Sequence, residues 1–125
     1  HQSAEDYLET ILMLTQRMGK VRSIDVVNEL GFTKASVSIA MKKLRENGYI
    51  AVDGEGNLTL LEPGREIAER IYSRHRLLTH FFVQLGVDEE VAAEDACKAE
   101  HILSEQTLEK IREYALLHDA QDSVK

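Results

Sequence analysis

The sequence predicts a mainly α-helical protein: an N-terminal winged helix-turn-helix with a single β-hairpin as its wing, followed by a second part that is helical throughout. Three observations predict it. Apolar residues recur at helical spacing through most of the chain. Two short helical stretches, SIDVVNEL and KASVSIAMKKLRENG, meet across the tight GFT segment, which is the pattern of a helix-turn-helix. Directly after them, YIAVDGEGNLTLL places β-formers on either side of DGEGN, a run of turn residues.

Each element has its own signals. Tyr7, Leu8, Ile11, Leu12, Leu14 and Met18 form the stripe of a first helix over Ser3 to Met18, with Ser3 as its cap, Glu5 and Asp6 in its first turn and Gly19 at its end. Ser23 starts the second helix and Gly31 stops it. Thr33 caps the third, which runs to Gly48. Tyr49, Ile50 and Val52 pair with Leu58, Thr59 and Leu60. Pro63 suits the first turn of a long amphipathic fourth helix ending at Gly86. Asp88 to Leu103 reads as a fifth helix, and Ser104, with Thr107 close by, opens a sixth. The polar tail HDAQDSVK is expected to fray. The boundary is placed near Pro63, giving domains 1–62 and 63–125.

Composition narrows the function. Hydrophobic residues make up 43% and charged residues 30% of 125, which suits a folded soluble protein. No apolar run approaches the roughly 20 residues of a membrane span, and no secretory signal is visible. A lone cysteine makes no internal disulfide and suits a reducing cytosol, so a cytoplasmic protein with no membrane partner is expected. The net charge of −7 is unevenly spread. From Lys20 to Ile50 six basic residues outnumber three acidic ones, a local charge of +3, so the remainder carries −10. A small basic module is joined to an acidic one.

The basic module contains the third helix. Val37, Ala40, Met41 and Leu44 can face a core. Thr33, Lys34, Ala35, Ser36 and Ser38 lie early on the helix, where small side chains let a backbone approach base edges, and Lys42 and Lys43 can neutralise phosphates. These seven are the candidate contacts to double-stranded DNA. The hairpin has no lysine or arginine between Ala51 and Leu61, so a backbone contact there is expected from main-chain N–H groups or Asn57.

Metal-ligand residue types gather on three other helices. Asp6 and Glu9 stand at i, i+3 on the first. His75 lies on the fourth. Cys97, Glu100 and His101 stand at i, i+3 and i+4 on the fifth, which puts them on one helix face. Helical proteins build transition-metal sites from such pairs on neighbouring helices. Taken singly, each fragment has a plainer reading: helix-start acids, a surface histidine between arginines, a cysteine packing as a small hydrophobe. His80 and His118 lack matching partners and are set aside as ligands.

The stretches EDYLETILML, VNELGFTKASVSIAMKKLRENGYI, LTLLEPGREIAERIYSRHRLLTHFFVQLGVDEE and CKAEHILSE cover nearly the whole chain. In them the chain resembles the diphtheria toxin repressor family of metal-dependent transcriptional regulators. In length it resembles the short manganese transport regulator-like branch, for which no SH3-like domain is expected. The resemblance implies a homodimer with a helical dimerisation domain, a near-palindromic operator, and activation by Mn(II) or Fe(II). It implies Asp6, Glu9, His75, Glu100 and His101 as ligands. Cys97 departs from the manganese branch, which has a glutamate there, and matches the iron branch. A thiolate favours softer ions than carboxylates do. The resemblance implies repression of genes for metal homeostasis and no enzyme activity, and no organic substrate is expected. The competing reading is a winged-helix regulator sensing an organic ligand or an oxidant. No HExxH, G-x-S-x-G or P-loop motif favours a hydrolase.

Overall fold

A computed structural model describes residues 4–124 of the chain. Its elements are α1 (Ala4–Met18), α2 (Ser23–Leu30), α3 (Lys34–Glu46), β1 (Ile50–Val52), β2 (Leu58–Leu60), α4 (Glu62–Gln84), α5 (Glu89–Ala99) and α6 (Glu105–Val124). The chain divides into two compact units, His1–Arg70 and Ile71–Lys125, and the division falls within α4. The expected cap at Ser3 lies outside the described residues.

In the first unit, α1 packs against α2, α3 and β2. Leu8, Ile11 and Leu14 of α1, Val21, Val26 of α2, Val37 of α3 and Ile50 of β1 are fully buried, and Tyr7 and Leu12 are buried with them, but Met18, expected on the same α1 stripe, is 49% exposed at the helix end beside Gly19. Ala40 differs: it is only half-buried. The helix-turn-helix turns at Gly31, whose φ of 71° is left-handed and whose N–H donates to Val27 O at 2.8 Å. Only a residue without a Cβ enters that region at no cost. Thr33 caps α3 by accepting from the Ser36 N–H at 3.1 Å. The wing is a two-stranded antiparallel sheet in register Ile50↔Leu60, Ala51↔Thr59 and Val52↔Leu58.

In the second unit, Leu78 of α4, Ala96 of α5 and Leu108 of α6 form the buried centre, with Leu77, Phe82, Ala99, Leu103 and Ile111 packed around it. Two helix ends differ from expectation. The fifth helix stops at Ala99 instead of Leu103, and residues 100–103 are turns. Ser104, whose hydroxyl accepts from the Thr107 N–H at 3.2 Å, caps α6 and is itself outside either helix. In the tail, α6 continues to Val124. Asp119 accepts from Gln84 Nε2 at 2.8 Å and contacts His80 Nε2 at 2.9 Å, so side chains of α4 hold these late turns.

Candidate DNA interface and metal centre

The α3 surface is built by exclusion. Val37, Met41 and Leu44 face inward, and their burial fixes the rotation of the helix. Lys34, Ala35, Ser36, Ser38, Lys42 and Lys43, with the cap Thr33, are all exposed. They divide into two rows. Ala35, Ser38 and Lys42 form an open stripe at i, i+3 and i+7. Ser36, Ile39 and Lys43 instead border a cleft of about 500 Å³, shared with Ala4, Tyr7, Asn47 and Tyr49. The hydroxyls of Thr33 and Ser36 are partly committed, since Thr33 Oγ1 donates to Ser36 Oγ at 2.8 Å. Sequence reasoning passed over Ile39, which is 59% exposed in the middle of this surface. Its signal was an apolar residue off the buried stripe, of the kind that can meet a thymine methyl.

The wing tip is tied together by one carboxylate. Asp53 Oδ1 accepts from the N–H groups of Glu55 and Asn57, each at 2.9 Å, and Oδ2 accepts from Asn57 Nδ2 at 3.0 Å. These bonds favour the ionised form. The Asn57 backbone N–H leads, and the Asp53 pKa lies below the usual carboxylate value. Most of the donors expected to serve a wing contact, the N–H groups of Glu55 and Asn57 and one of the two on Asn57 Nδ2, are therefore engaged by Asp53. An aspartate two and four residues before them out-competes solvent for short local bonds.

The metal-ligand types fall into both units. Asp6, half-buried, and Glu9, buried, lie on α1. In the second unit the ends of α5 and the middle of α4 bring three candidates together. Glu100 is wholly buried. Its Oε2 lies 3.0 Å from His75 Nδ1 and its Oε1 lies 3.4 Å from His101 Nε2. An ionised carboxylate can only accept, so the His75 tautomer with its proton on Nδ1 is the one that bonds to it. Glu100 Oε1 has no hydrogen bond. A buried carboxylate with an unsatisfied oxygen is costly unless a cation compensates it. One carboxylate and two imidazoles are a donor set suited to a divalent transition ion, so these residues fit the metal that the sequence implies. Cys97 sits in the last turn of α5 and is exposed. Helix α5 ends at Ala99, Glu100 stays helical in φ and ψ as its C-cap with its N–H donating to Ala96 O at 2.9 Å, and His101 lies in the turn that follows.

Arg74 was missed by sequence reasoning. Its Nη1 donates to the Glu100 carbonyl at 3.3 Å, and its Nη2 pairs with the Glu105 carboxylate. It thereby ties the end of α5 to the start of α6 around the turn that holds His101. The arginines flanking His75 read as a mark of the surface, whereas Arg74 is largely buried.

A winged helix-turn-helix with an exposed, partly basic third helix, joined to a helical unit holding a buried carboxylate between imidazoles, defines the class of metal-responsive DNA-binding regulators. Comparison with known proteins agrees. The family model described as "Iron dependent repressor, N-terminal DNA binding domain" matches residues 1–58, and that of "Iron dependent repressor, metal binding and dimerisation domain" matches residues 61–117. An uncharacterized HTH-type transcriptional regulator of Methanocaldococcus jannaschii is 36% identical over 113 residues, 89% of this chain and 90% of the relative. The HTH-type transcriptional regulator MntR of Bacillus subtilis is 32% identical over 123 residues, 98% of this chain and 87% of the relative. A solved manganese-dependent transcriptional repressor in complex with manganese superposes with a TM-score of 0.82 at 29% identity, covering 90% of this chain and 52% of that one. The chain thus spans about half the length of that solved structure. The chain belongs to the iron-dependent repressor family, that of the diphtheria toxin repressor, on the MntR-like branch. Members of this family are metal-dependent transcriptional repressors, not enzymes. Among the described residues no helix is long and apolar enough to cross a membrane.

Proposed function

We propose that this protein is a cytoplasmic, homodimeric repressor that binds a near-palindromic operator when loaded with Mn(II) or Fe(II), and so controls genes of metal homeostasis. The observation that carries the reading is Glu100, a fully buried carboxylate with an unbonded oxygen beside two imidazoles. His75, Glu100 and His101 supply ligands from the second unit, with Cys97 as a further, softer donor. Asp6 and Glu9 supply carboxylates from α1, as the family resemblance implies. A divalent cation, when bound, supplies the positive charge that clustered carboxylates need.

The consequence lies in the ensemble. Without compensation these acids repel one another, and the DNA-reading modules of a dimer sample many spacings. Restricting them to one spacing raises DNA affinity by population shift. A palindromic operator would need its two recognition helices about 34 Å apart, or a multiple of that. Ala35, Ser38 and Lys42, with Thr33, Lys34, Ser36 and Lys43 around them, are the proposed contacts. By linkage, operator DNA must tighten metal binding by the same factor that metal tightens DNA binding, typically a coupling of about 1–3 kcal/mol.

The test is a titration of anaerobically purified protein against a duplex that it selects from a random pool. Affinity should rise severalfold or more on adding Mn(II) or Fe(II) and fall with chelator, and Glu100→Gln should abolish the response. Equal affinity with chelator and with excess metal ends the proposal. Cys97→Glu assigns the selectivity. If the wild type favours Fe(II) and the variant shifts toward Mn(II), Cys97 is a ligand. If both respond equally to Mn(II), Cys97 is a surface residue beside the site.

A further inference from the structure

The wing presents an electrostatic problem. A hairpin with Asp53 and Glu55, and no lysine or arginine between Ala51 and Leu61, is repelled by a phosphate backbone. The N–H groups of Glu55 and Asn57 and the Asn57 side-chain amide are all bonded to Asp53. Against this tip the structure sets Arg22, from the loop between α1 and α2. Its Nε donates to the Glu55 carbonyl at 2.9 Å, and its Nη2 donates to the same oxygen.

The backbone of Arg22 is held as firmly. Leu58 N–H donates to Val21 O at 2.7 Å, and Arg22 and Asn57 form an isolated antiparallel bridge, so residues 21–22 extend the wing sheet by one edge. The Arg22 N–H donates to Asp25 Oδ2 at 2.9 Å. The side chain is nonetheless exposed, and among the described residues its guanidinium makes no ion pair within 4 Å. Arg17, Arg70, Arg74 and Arg112 each pair with a glutamate. Arg22 meets only a neutral carbonyl among the described residues. Of the five N–H donors of a guanidinium, Nε supplies one and Nη2 one to Glu55. Both donors of Nη1 and the second of Nη2 are left over. Lys20, also exposed, stands close enough for its charge to act on Asp53.

A cation that is fixed in place but unpaired is pre-organised for an anion. It has already given up most of its rotamer freedom to the carbonyl, and its remaining fork fits a phosphate oxygen pair. We propose that Arg22, docked on the wing tip, binds a phosphodiester of the DNA backbone, so that the acidic wing touches DNA through an arginine lent by the loop before α2. Lys20 adds to the local field without being held.

The experiment is fluorescence anisotropy of the full chain, with Mn(II) present, on two duplexes: one of random sequence and one selected by the wild type. Affinity is followed across a roughly fourfold range of NaCl. Each neutralised phosphate contributes about 0.9 to the slope of log affinity against log salt. Arg22→Gln should flatten the slope by about 0.9 for each bound subunit, equally on both duplexes, because phosphates carry no sequence. Arg22→Lys keeps the charge and should keep the slope, with weaker affinity from the lost two-point grip. An unchanged slope for Arg22→Gln overturns the proposal. If affinity then falls at constant slope, Arg22 merely props the wing. Should Arg22→Gln fail to fold, Arg22→Lys decides alone: a preserved slope supports the phosphate contact and a flattened one refutes it. Wild-type protein that binds neither duplex overturns the proposed function as well, whereas intact binding with an unchanged slope sinks only this inference.

Discussion

Gly64→Ala should destabilise the protein, although helix propensity alone argues the opposite. Gly64 is the third residue of α4, where alanine is intrinsically favoured by about 1 kcal/mol at most. The neighbour decides the sign. A Cβ built on Gly64 would stand 2.2 Å from the Tyr49 carbonyl oxygen, 3.0 Å from its carbon and 3.3 Å from its Cα. Ordinary contact begins near 3.4 Å, so the helix start and the strand start must part by roughly 1 Å. None of the three atoms is the end of a flexible side chain. All belong to backbone that is already bonded: Tyr49 O accepts from Leu61 N–H at 2.9 Å, and Tyr49 N–H donates to Leu44 O at 3.0 Å. Overpacking of this kind costs about 1–3 kcal/mol, and straining the Leu61 bond adds about 1. Set against the propensity gain, the net loss is about 2 kcal/mol. For a chain of this size that lowers the melting temperature by several degrees, roughly 4 °C per kcal/mol. Differential scanning calorimetry of wild type and variant reads it directly. A variant as stable as the wild type, or more so, would refute the close approach between α4 and the head of the wing. The same contact sets where the wing leaves α3, so a destabilised variant should also bind DNA more weakly.

Two further predictions concern the two units separately. Because the folded pKa of Asp53 is depressed, its contribution to wing stability is fully present above the ordinary carboxylate pKa and is lost as pH falls through the lower folded value. Protection against amide exchange at Glu55 and Asn57, taken relative to the intrinsic rate at each pH, should fall in that acid window, and Asp53→Asn should lower it at neutral pH. Protection unchanged by both pH and substitution would count against the three-bond clasp. In the second unit, Leu78→Ala removes a fully buried side chain from the centre of the cluster and should cost about 2–5 kcal/mol in urea denaturation. A cost below about 1 kcal/mol would mean that Leu78, Ala96 and Leu108 are not the core there.

Much of this protein was legible from local chemistry. Periodic apolar residues, Gly31, the Thr33 and Ser104 caps and the DGEGN turn each act through bonds spanning a few residues. Helix order and the wing hairpin follow from them without knowledge of the rest, whereas β1 starts at Ile50, one residue after the expected Tyr49. The exposed row of α3 followed in the same way, since burying Val37, Met41 and Leu44 leaves only one way for the other residues to face. Residue types and family resemblance made His75, Glu100 and His101 visible as candidates, and helical spacing carries as far as Glu100, the C-cap of α5. Helix α5 ends at Ala99, and His101 lies 3.4 Å from Glu100 from the turn that follows.

What only the tertiary structure decided are contacts between residues far apart in the chain. His75 and Glu100 are 25 positions apart, and the 3.0 Å between them exists only because α4 and α5 pack around Leu78. Arg22 and Glu55 are 33 positions apart, and Arg74 and Glu105 31. An arginine in the sequence is a charge without an address. Whether it ends beside a carboxylate, like Arg74, or on a neutral carbonyl with donors to spare, like Arg22, is set by which backbones the fold brings together. Local propensity determined the elements, because it acts through near neighbours. Burial and charge compensation, which act across the folded chain, determined which side chains are left to meet a metal or a phosphate.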